Sequence, residues 1–428
     1  MKDEKSSFIL TNVRDSNDKK IELAWVGERF VEASSLQGEA TRIDGKGLMA
    51  IPGLVDLHTH LREPGGEDAE TILTGSQSAV AGGFTAISAM PNTEPAADTA
   101  GVVEQVFRLG KSHGLCDVFP IGAVTEKREG KALAELAAMN TSSAAVRIFS
   151  DDGNCISDSL VMRRALEYVK AFDGIIAQHA QDPRLTEGAD VNEGIVSSIL
   201  GLKGWPAVAE EAIIARDVLL AEHVGSQLHI CHVSTAGSVE IIRWAKSRGI
   251  RVTAEVTPHH LLLDDELVHT YDPIYKVNPP LRTQRDIEYL RMGVVDGTID
   301  VIATDHAPHP SERKECEWSA AAFGMVGLET ALGVSYRALV DNGLLTFSTL
   351  VEKLSSKPAE IARYEGHGSL VPGALANFAL VDDEKHWIVS ASHLRSKSKN
   401  TPFADMELPL PIVSTYFRGT KVFERPSA

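Results

Sequence analysis

Two histidines two residues apart, His58 and His60, end the apolar run 53–60. On a strand, side chains at i and i+2 share one face, so two imidazoles would project together. Imidazole nitrogen suits zinc and other borderline divalent metals. A lone His-x-His is equally well read as a polar pair at a strand end. Four later runs change that balance, ending in Ser150-Asp151-Asp152-Gly153, Gln178-His179, Ile230-Cys231-His232 and Thr304-Asp305-His306-Ala307-Pro308. Four histidines and two aspartates supply enough ligands for two divalent ions sharing a carboxylate. Paired ions lower the pKa of a shared water and polarise a carbonyl oxygen.

Two polar groups sit beside this set. Arg62 follows His60 by two residues, and its planar fork suits a carboxylate. A cation beside dications is unfavourable unless an anion lies between them; an ion pair with Glu63 or Glu67 is the plainer alternative. Asn92, in Met90-Pro-Asn-Thr93, closes a second run and points the same way. Of the other histidines, His113, His223, His269, His367, His386 and His393 fall in helical or loop contexts without partners. Strand parity turns His229 away from His232, towards the surrounding helices. His259-His260 follows the run 251–256 and lies within reach of the site. The proline-rich stretches Lys276-Val-Asn278-Pro-Pro-Leu-Arg282 and His306-Ala-Pro-His309-Pro read as a fixed rim and a lid.

Something must bring these ends together. Eight short apolar runs, 53–60, 84–90, 117–123, 144–149, 174–179, 227–232, 251–256 and 300–305, alternate with helical patterns at 69–81, 100–113, 159–172, 206–223 and 234–246. Strand–helix alternation implies a parallel sheet, and eight units favour a closed α/β barrel of the (β/α)8 type. Active sites of such barrels lie at the C-terminal strand ends, where the histidines and aspartates fall. The first fifty and last sixty residues show turns and short strands instead: 8–10 and 21–26, then 376–381, 388–390 and 415–423, with 392–402 a polar loop. The expected division is a small β-sandwich domain from 1–51 plus 366–428, and a catalytic barrel over 52–365.

The chain's 428 residues are 43% apolar and 24% charged, which excludes a disordered chain or a disulfide-stapled miniprotein. Against 59 acidic residues stand 42 basic ones, a net charge of −17, which argues against nucleic-acid or anionic-membrane partners. The four scattered cysteines fit a reducing compartment. No apolar leader follows the first residues, and no apolar run approaches the roughly 18 residues of a membrane helix. A cytoplasmic protein is expected.

The opening Pro52-Gly-Leu-Val-Asp-Leu-His58-Thr-His60, with His179, His232 and Asp305, resembles the amidohydrolase superfamily. The motifs His60-Leu-Arg-Glu-Pro-Gly65, Met90-Pro-Asn-Thr93, Phe149-Ser-Asp-Asp-Gly153, Val277-Asn-Pro-Pro-Leu281 and Thr304-Asp-His-Ala-Pro-His309 are similar to those of bacterial type I dihydroorotases, over nearly the whole chain. The resemblance implies zinc, two ions per subunit, on His58, His60, His179 and His232. An aspartate of the Asp-Asp-Gly turn would bridge the ions: Asp152 by its spacing to His179, with Asp151 as the alternative. Asp305 would bind one ion and serve as general base and then acid. Arg62, Asn92 and His309 would take the substrate carboxylate, while Asn278 and the backbone around Phe323-Gly324 hold the ring.

The implied reaction is zinc-dependent, reversible closure of N-carbamoyl-L-aspartate to L-dihydroorotate and water in pyrimidine synthesis. A homodimer is the family-based expectation, and association with aspartate transcarbamoylase is open. Residues 146–155 hold no lysine, whereas hydantoinases and many relatives carry a carboxylated lysine there. That favours the aspartate-bridged subgroup over a hydantoinase or allantoinase. Asn377 stands where relatives usually show aspartate, which would touch only the small domain. A silent scaffold partner of a transcarbamoylase would have lost ligands, and every ligand position here is filled.

Overall fold

The computed structural model describes residues 6–36 and 39–426. Residues 1–5, read above as lacking an apolar leader, lie outside them. All eight predicted runs carry barrel strands: Leu54–Thr59, Phe84–Ala89, Asp117–Pro120, Ile148–Phe149, Ile175–Gln178, Gln227–Ile230, Val252–Val256 and Val301–Ile302. They are numbered strands 1 to 8 below. Neighbours pair in parallel from 1 to 3 and from 4 to 8. Two parallel bridges, Gly122 with Phe149 and Thr59 with His306, close the ring. Closure leaves no sheet edge exposed to another chain.

Alternate strand residues face opposite ways. Leu54, Ile87, Phe149, Ile176, Ile230 and Ile302 pack under the helices. Val55, Ala86, Ile148, Ile175, Ala177 and Val301 fill the barrel. The helices Ile72–Ala81, Ala100–His113, Ser159–Lys170, Val208–Val224 and Ala236–Ser247 match the five helical patterns, shifted by up to three residues at their starts. Several begin at a side-chain cap: Thr71, Asp158 and Thr235 each accept a backbone N–H of the first turn. No helix among the described residues is long and apolar enough to cross a membrane.

Strands from both chain ends share one eight-stranded sheet. Met49–Pro52 pairs antiparallel with Phe378–Val381, and Ser7–Arg14 with Lys20–Val26. Trp25, Phe30, Phe378 and Tyr416 form its aromatic core. The predicted strand over 415–423 is a hairpin instead, Ile412–Phe417 then Thr420–Glu424. Arg418 and Gly419 both take positive φ, 50° and 75°, as a tight two-residue turn requires. The strand expected at 388–390 falls at His386–Ile388 and pairs with Glu407–Pro409 in a separate ribbon. The stretch 392–402 is irregular, as expected, but Ser396, Ser398, Asn400 and Thr401 are buried.

Candidate metal centre and carboxylate pocket

The barrel mouth gathers the predicted ligands around one carboxylate. Asp152 Oδ1 lies 3.4 Å from His58 Nε2, 3.3 Å from His179 Nδ1 and 3.5 Å from His232 Nε2. Its Oδ2 lies 3.4 Å from His60 Nε2. Two groups able to hold a metal ion, His58–His60–Asp152 and Asp152–His179–His232, share that aspartate. Asp305 Oδ1 stands 2.9 Å from His60 Nε2 and 3.4 Å from His58 Nε2. Asp151 is occupied elsewhere: its carboxylate accepts the backbone N–H groups of Val124 and Thr125 and the Thr125 hydroxyl.

Supporting residues decide which ring nitrogen faces the centre. His58 Nδ1 donates to Glu255 Oε1 (2.6 Å), His60 Nδ1 to Asn92 Oδ1 (2.8 Å), and His179 Nε2 to Gln181 Oε1 (2.8 Å). Each imidazole spends one N–H on a fixed acceptor and turns its other nitrogen towards Asp152, the tautomer a metal ligand needs. His58 Nε2 is fully buried and has no hydrogen-bond partner. An orphaned lone pair among carboxylates fits a divalent cation. A third group, His58–Cys231–Glu255, is a poorer ligand set, since burial pushes the Cys231 thiol far up and His58 Nδ1 is engaged by Glu255.

The electrostatics agree. Burial pulls His58 down, but the charges of Asp152, Glu255 and Asp305 outweigh it and hold the ring well above its usual pKa. Burial alone would raise Asp152, yet the His58 charge and the His179 and His232 imidazoles close around it hold it well below the carboxylate range. Asp305 is likewise held low despite burial, first by the His58 charge. The buried Asp56 carboxyl is pushed up to about 7 by burial. It bonds Thr304 N and Oγ1 and His58 N, fastening the ends of strands 1 and 8.

His229 is a correction. It faces the barrel interior and bonds Glu255 Oε2 (3.0 Å), because Leu228 and Ile230 are the residues under the helices. Strand 6 ends at Ile230 and His232 takes φ 31°, so parity cannot be counted through to it. Arg62 and Asp305 also sit at positive φ, 62° and 48°, where non-glycine residues are uncommon and cluster at functional sites.

Beside these candidate ligands, Arg62, Asn92, Arg128, His309 and Arg313 line a pocket of about 280 Å³. Arg62 Nε donates to the Pro308 carbonyl (3.2 Å), and burial brings its guanidinium down to about 10. Neither Glu63 nor Glu67 takes it: their carboxylates accept Ile72 N and Gly65 N. His309 Nε2 donates to the Phe323 carbonyl (2.7 Å), and burial holds its ring down to about 3, hence neutral. Gly324 takes φ 140°, and a Cβ there would fall 2.8 Å from Ala307 Cβ and 2.9 Å from His309 Nε2, so only glycine fits this approach. Asn278 Nδ2 donates to Gln181 Oε1 (3.1 Å), leaving Oδ1 buried without a partner. His260 is consumed by Thr257 and the Pro279 carbonyl, while His259 Nε2 is buried and unpaired.

Three residues bonded to the candidate site escaped the sequence reading: Glu255, Gln181 and Arg128, which donates to the Asp152 carbonyl (2.7 Å). Glu255 had one signal, a lone acid inside the apolar run of strand 7.

Residues 47–238 match the family model described as dihydro-orotase-like. A Streptomyces coelicolor protein named dihydroorotase is 64% identical over 382 residues, covering 89% of each chain. One from Leifsonia xyli subsp. xyli, of the same name, is 60% identical over 96% of this chain and 95% of its own. Among solved structures, the L-hydantoinase (dihydropyrimidinase) of Arthrobacter aurescens superimposes with a TM-score of 0.86 at 27% identity, over 98% of this chain and 96% of that one. Mouth geometry and relatives agree that the chain belongs to the dihydroorotase family.

Proposed function

We propose that the protein is a zinc-dependent dihydroorotase. It interconverts N-carbamoyl-L-aspartate and L-dihydroorotate in pyrimidine synthesis. The observation that carries this reading is the placement of an unpaired arginine, Arg62, beside a centre of four imidazoles around one shared aspartate. His58, His60, His179, His232, Asp152 and Asp305 would hold two zinc ions. Bound zinc supplies a water of lowered pKa and polarisation of the ring carbonyl. Asp305 accepts the attacking water's proton and returns it to the leaving ring nitrogen, as base and then acid. Arg62 and Asn92 orient the substrate carboxylate, with His309 beside them, and Asn278 with the backbone near Phe323-Gly324 receives the ring. With its Nε2–H on the Phe323 carbonyl, neutral His309 presents only an Nδ1 lone pair, which cannot bond a carboxylate, so Arg62 and Asn92 carry that contact and His309 shapes the pocket wall.

A hydantoinase reading has one observation in its favour, the fold shared with the Arthrobacter aurescens enzyme. The missing lysine at 146–155, the pocket arginine and the far higher identity to dihydroorotases weigh against it. Turnover of dihydroorotate beside hydantoin and allantoin separates the two. Dihydroorotate as the preferred substrate is expected; preference for hydantoin would overturn the proposal. The chain ends 1–51 and 366–428 are read as one small domain, which their common sheet supports. Homodimerisation and a cytoplasmic location belong to the same reading, and association with a transcarbamoylase is compatible with it.

Replacing Arg62 by methionine should cut kcat/KM for dihydroorotate about 10- to 100-fold, the worth of a charge-assisted hydrogen-bonded pair. A ring analogue without the carboxylate should lose little. Equal losses on both substrates would remove Arg62 from carboxylate binding. Glu255→Gln removes the anionic acceptor behind His58 and should weaken zinc affinity about 10- to 100-fold. Competition against a chromogenic chelator reads this directly, and an unchanged Kd would contradict it.

A further inference from the structure

The stretch 394–401 runs across the barrel mouth with Ser396, Ser398 and Asn400 turned inward and Arg395, Lys397 and Lys399 exposed. Ser396 Oγ donates to the buried Glu70 carboxylate, which also meets His306 Nε2 at 3.3 Å. Lys397 N bonds the same carboxylate, and Ser398 Oγ donates to the Ala69 carbonyl (2.7 Å). These anchors fix the segment against the loop after strand 1 and against the residue following Asp305.

Asn400 then reaches the pocket wall. It is 5% exposed, and its side-chain amide is fully used. Nδ2 donates to the Ala307 carbonyl (3.0 Å) and the Gly324 carbonyl (3.1 Å), and Oδ1 accepts the His309 N–H (3.1 Å). Its own carbonyl accepts Val326 N (3.0 Å). The two runs it joins, 307–309 and 323–326, carry His309, Phe323 and Gly324. Beside them lie the single bridges Thr59 with His306 and His306 with Met325, and one backbone bond, Ala307 N to the Met325 carbonyl (2.8 Å), joins the two runs directly. A buried asparagine that merely satisfied stray carbonyls would have no reason to take all its bonds from one pocket wall.

We propose that Asn400 is a positioning residue for the substrate pocket, acting through His309 and the Phe323–Gly324 backbone. The proposal rests on the dihydroorotase reading above. Together with the Ala307–Met325 backbone bond, its side-chain amide fixes the separation of the two runs, and with it the bond from His309 to the Phe323 carbonyl. No atom of Asn400 need touch the substrate.

The test uses the full-length, zinc-loaded protein. Asn400→Ala should raise KM for dihydroorotate about 10- to 100-fold, the worth of one or two of its three hydrogen bonds to backbone groups, and leave kcat within about threefold. Zinc content should stay at the wild-type value. Amide exchange should quicken at His309, Gly324 and Val326 and stay slow in strands 1 to 8. In a His309→Ala background the same change should add less than about threefold, because coupled residues lose the same interaction only once. Should the alanine variant fail to fold, Asn400→Asp keeps the acceptor for His309 N–H but sets carboxylate oxygen against two carbonyls, and the same rise in KM is expected. A folded variant with wild-type KM, or fully additive losses in the His309→Ala background, would overturn the positioning role. Wild-type protein inert towards dihydroorotate would instead overturn the activity reading, and the exchange pattern would still decide what Asn400 holds.

Discussion

Asp305→Asn should lower kcat for dihydroorotate by about 10²- to 10⁴-fold, the range that general acid–base catalysis contributes. The change keeps the side chain's size and one oxygen but removes the basic site. Asp305 stands 2.9 Å from His60 Nε2 and 3.4 Å from His58 Nε2, so it touches the metal ligands without being the residue they share. Its carboxyl is held low, first by the His58 charge, and is therefore ionised at neutral pH, the form from which a general base starts. The fold should survive, because the backbone at the end of strand 8 is fastened independently by Thr304 to Asp56 and by His60 N to the His306 carbonyl. A variant with near-normal kcat and a full zinc complement would remove Asp305 from proton transfer.

The adjacent aspartates at the end of strand 4 should fail in opposite ways. Asp152→Ala takes away the carboxylate that four imidazole nitrogens face at 3.3–3.5 Å. Zinc binding should fall by more than the roughly 100-fold that losing a supporting partner costs, and turnover should vanish with it. Asp151→Ala removes a buried acceptor of two backbone N–H groups and a hydroxyl instead. Unsatisfied buried donors cost about 1–3 kcal/mol each, so this variant should melt several degrees lower yet still bind zinc when folded. Metal analysis and thermal melting of the pair read the difference. Zinc retained by Asp152→Ala and lost by a folded Asp151→Ala would reverse the assignment.

The eight barrel runs were legible because a strand buried on both faces reads as a short apolar run, and helical spacing between runs is hard to mistake. Strand lengths were less so: the runs 144–149 and 300–305 contain paired strands only at Ile148–Phe149 and Val301–Ile302, since the chain bends towards the mouth beyond them. The ligands were legible because they occupy strand ends and so have a fixed place in the pattern. Their supporters were not. Glu255 lies 197 residues from His58, and Asn400 lies 91 from His309, separations that no local spacing rule spans. His229 misled because parity holds only while a strand lasts, and strand 6 stops at Ile230. The stretch 392–402 read only as a polar loop, whereas its polar atoms are the clasp that binds the mouth.

Stepwise return of zinc to chelator-stripped protein, with dihydroorotate turnover followed at each addition, tests the account most directly. Stripped protein should be inactive, and activity should rise to a plateau at two equivalents per chain, one for each of the two groups that share Asp152. Full activity in stripped protein, or a plateau at a single equivalent, would contradict the shared-aspartate centre.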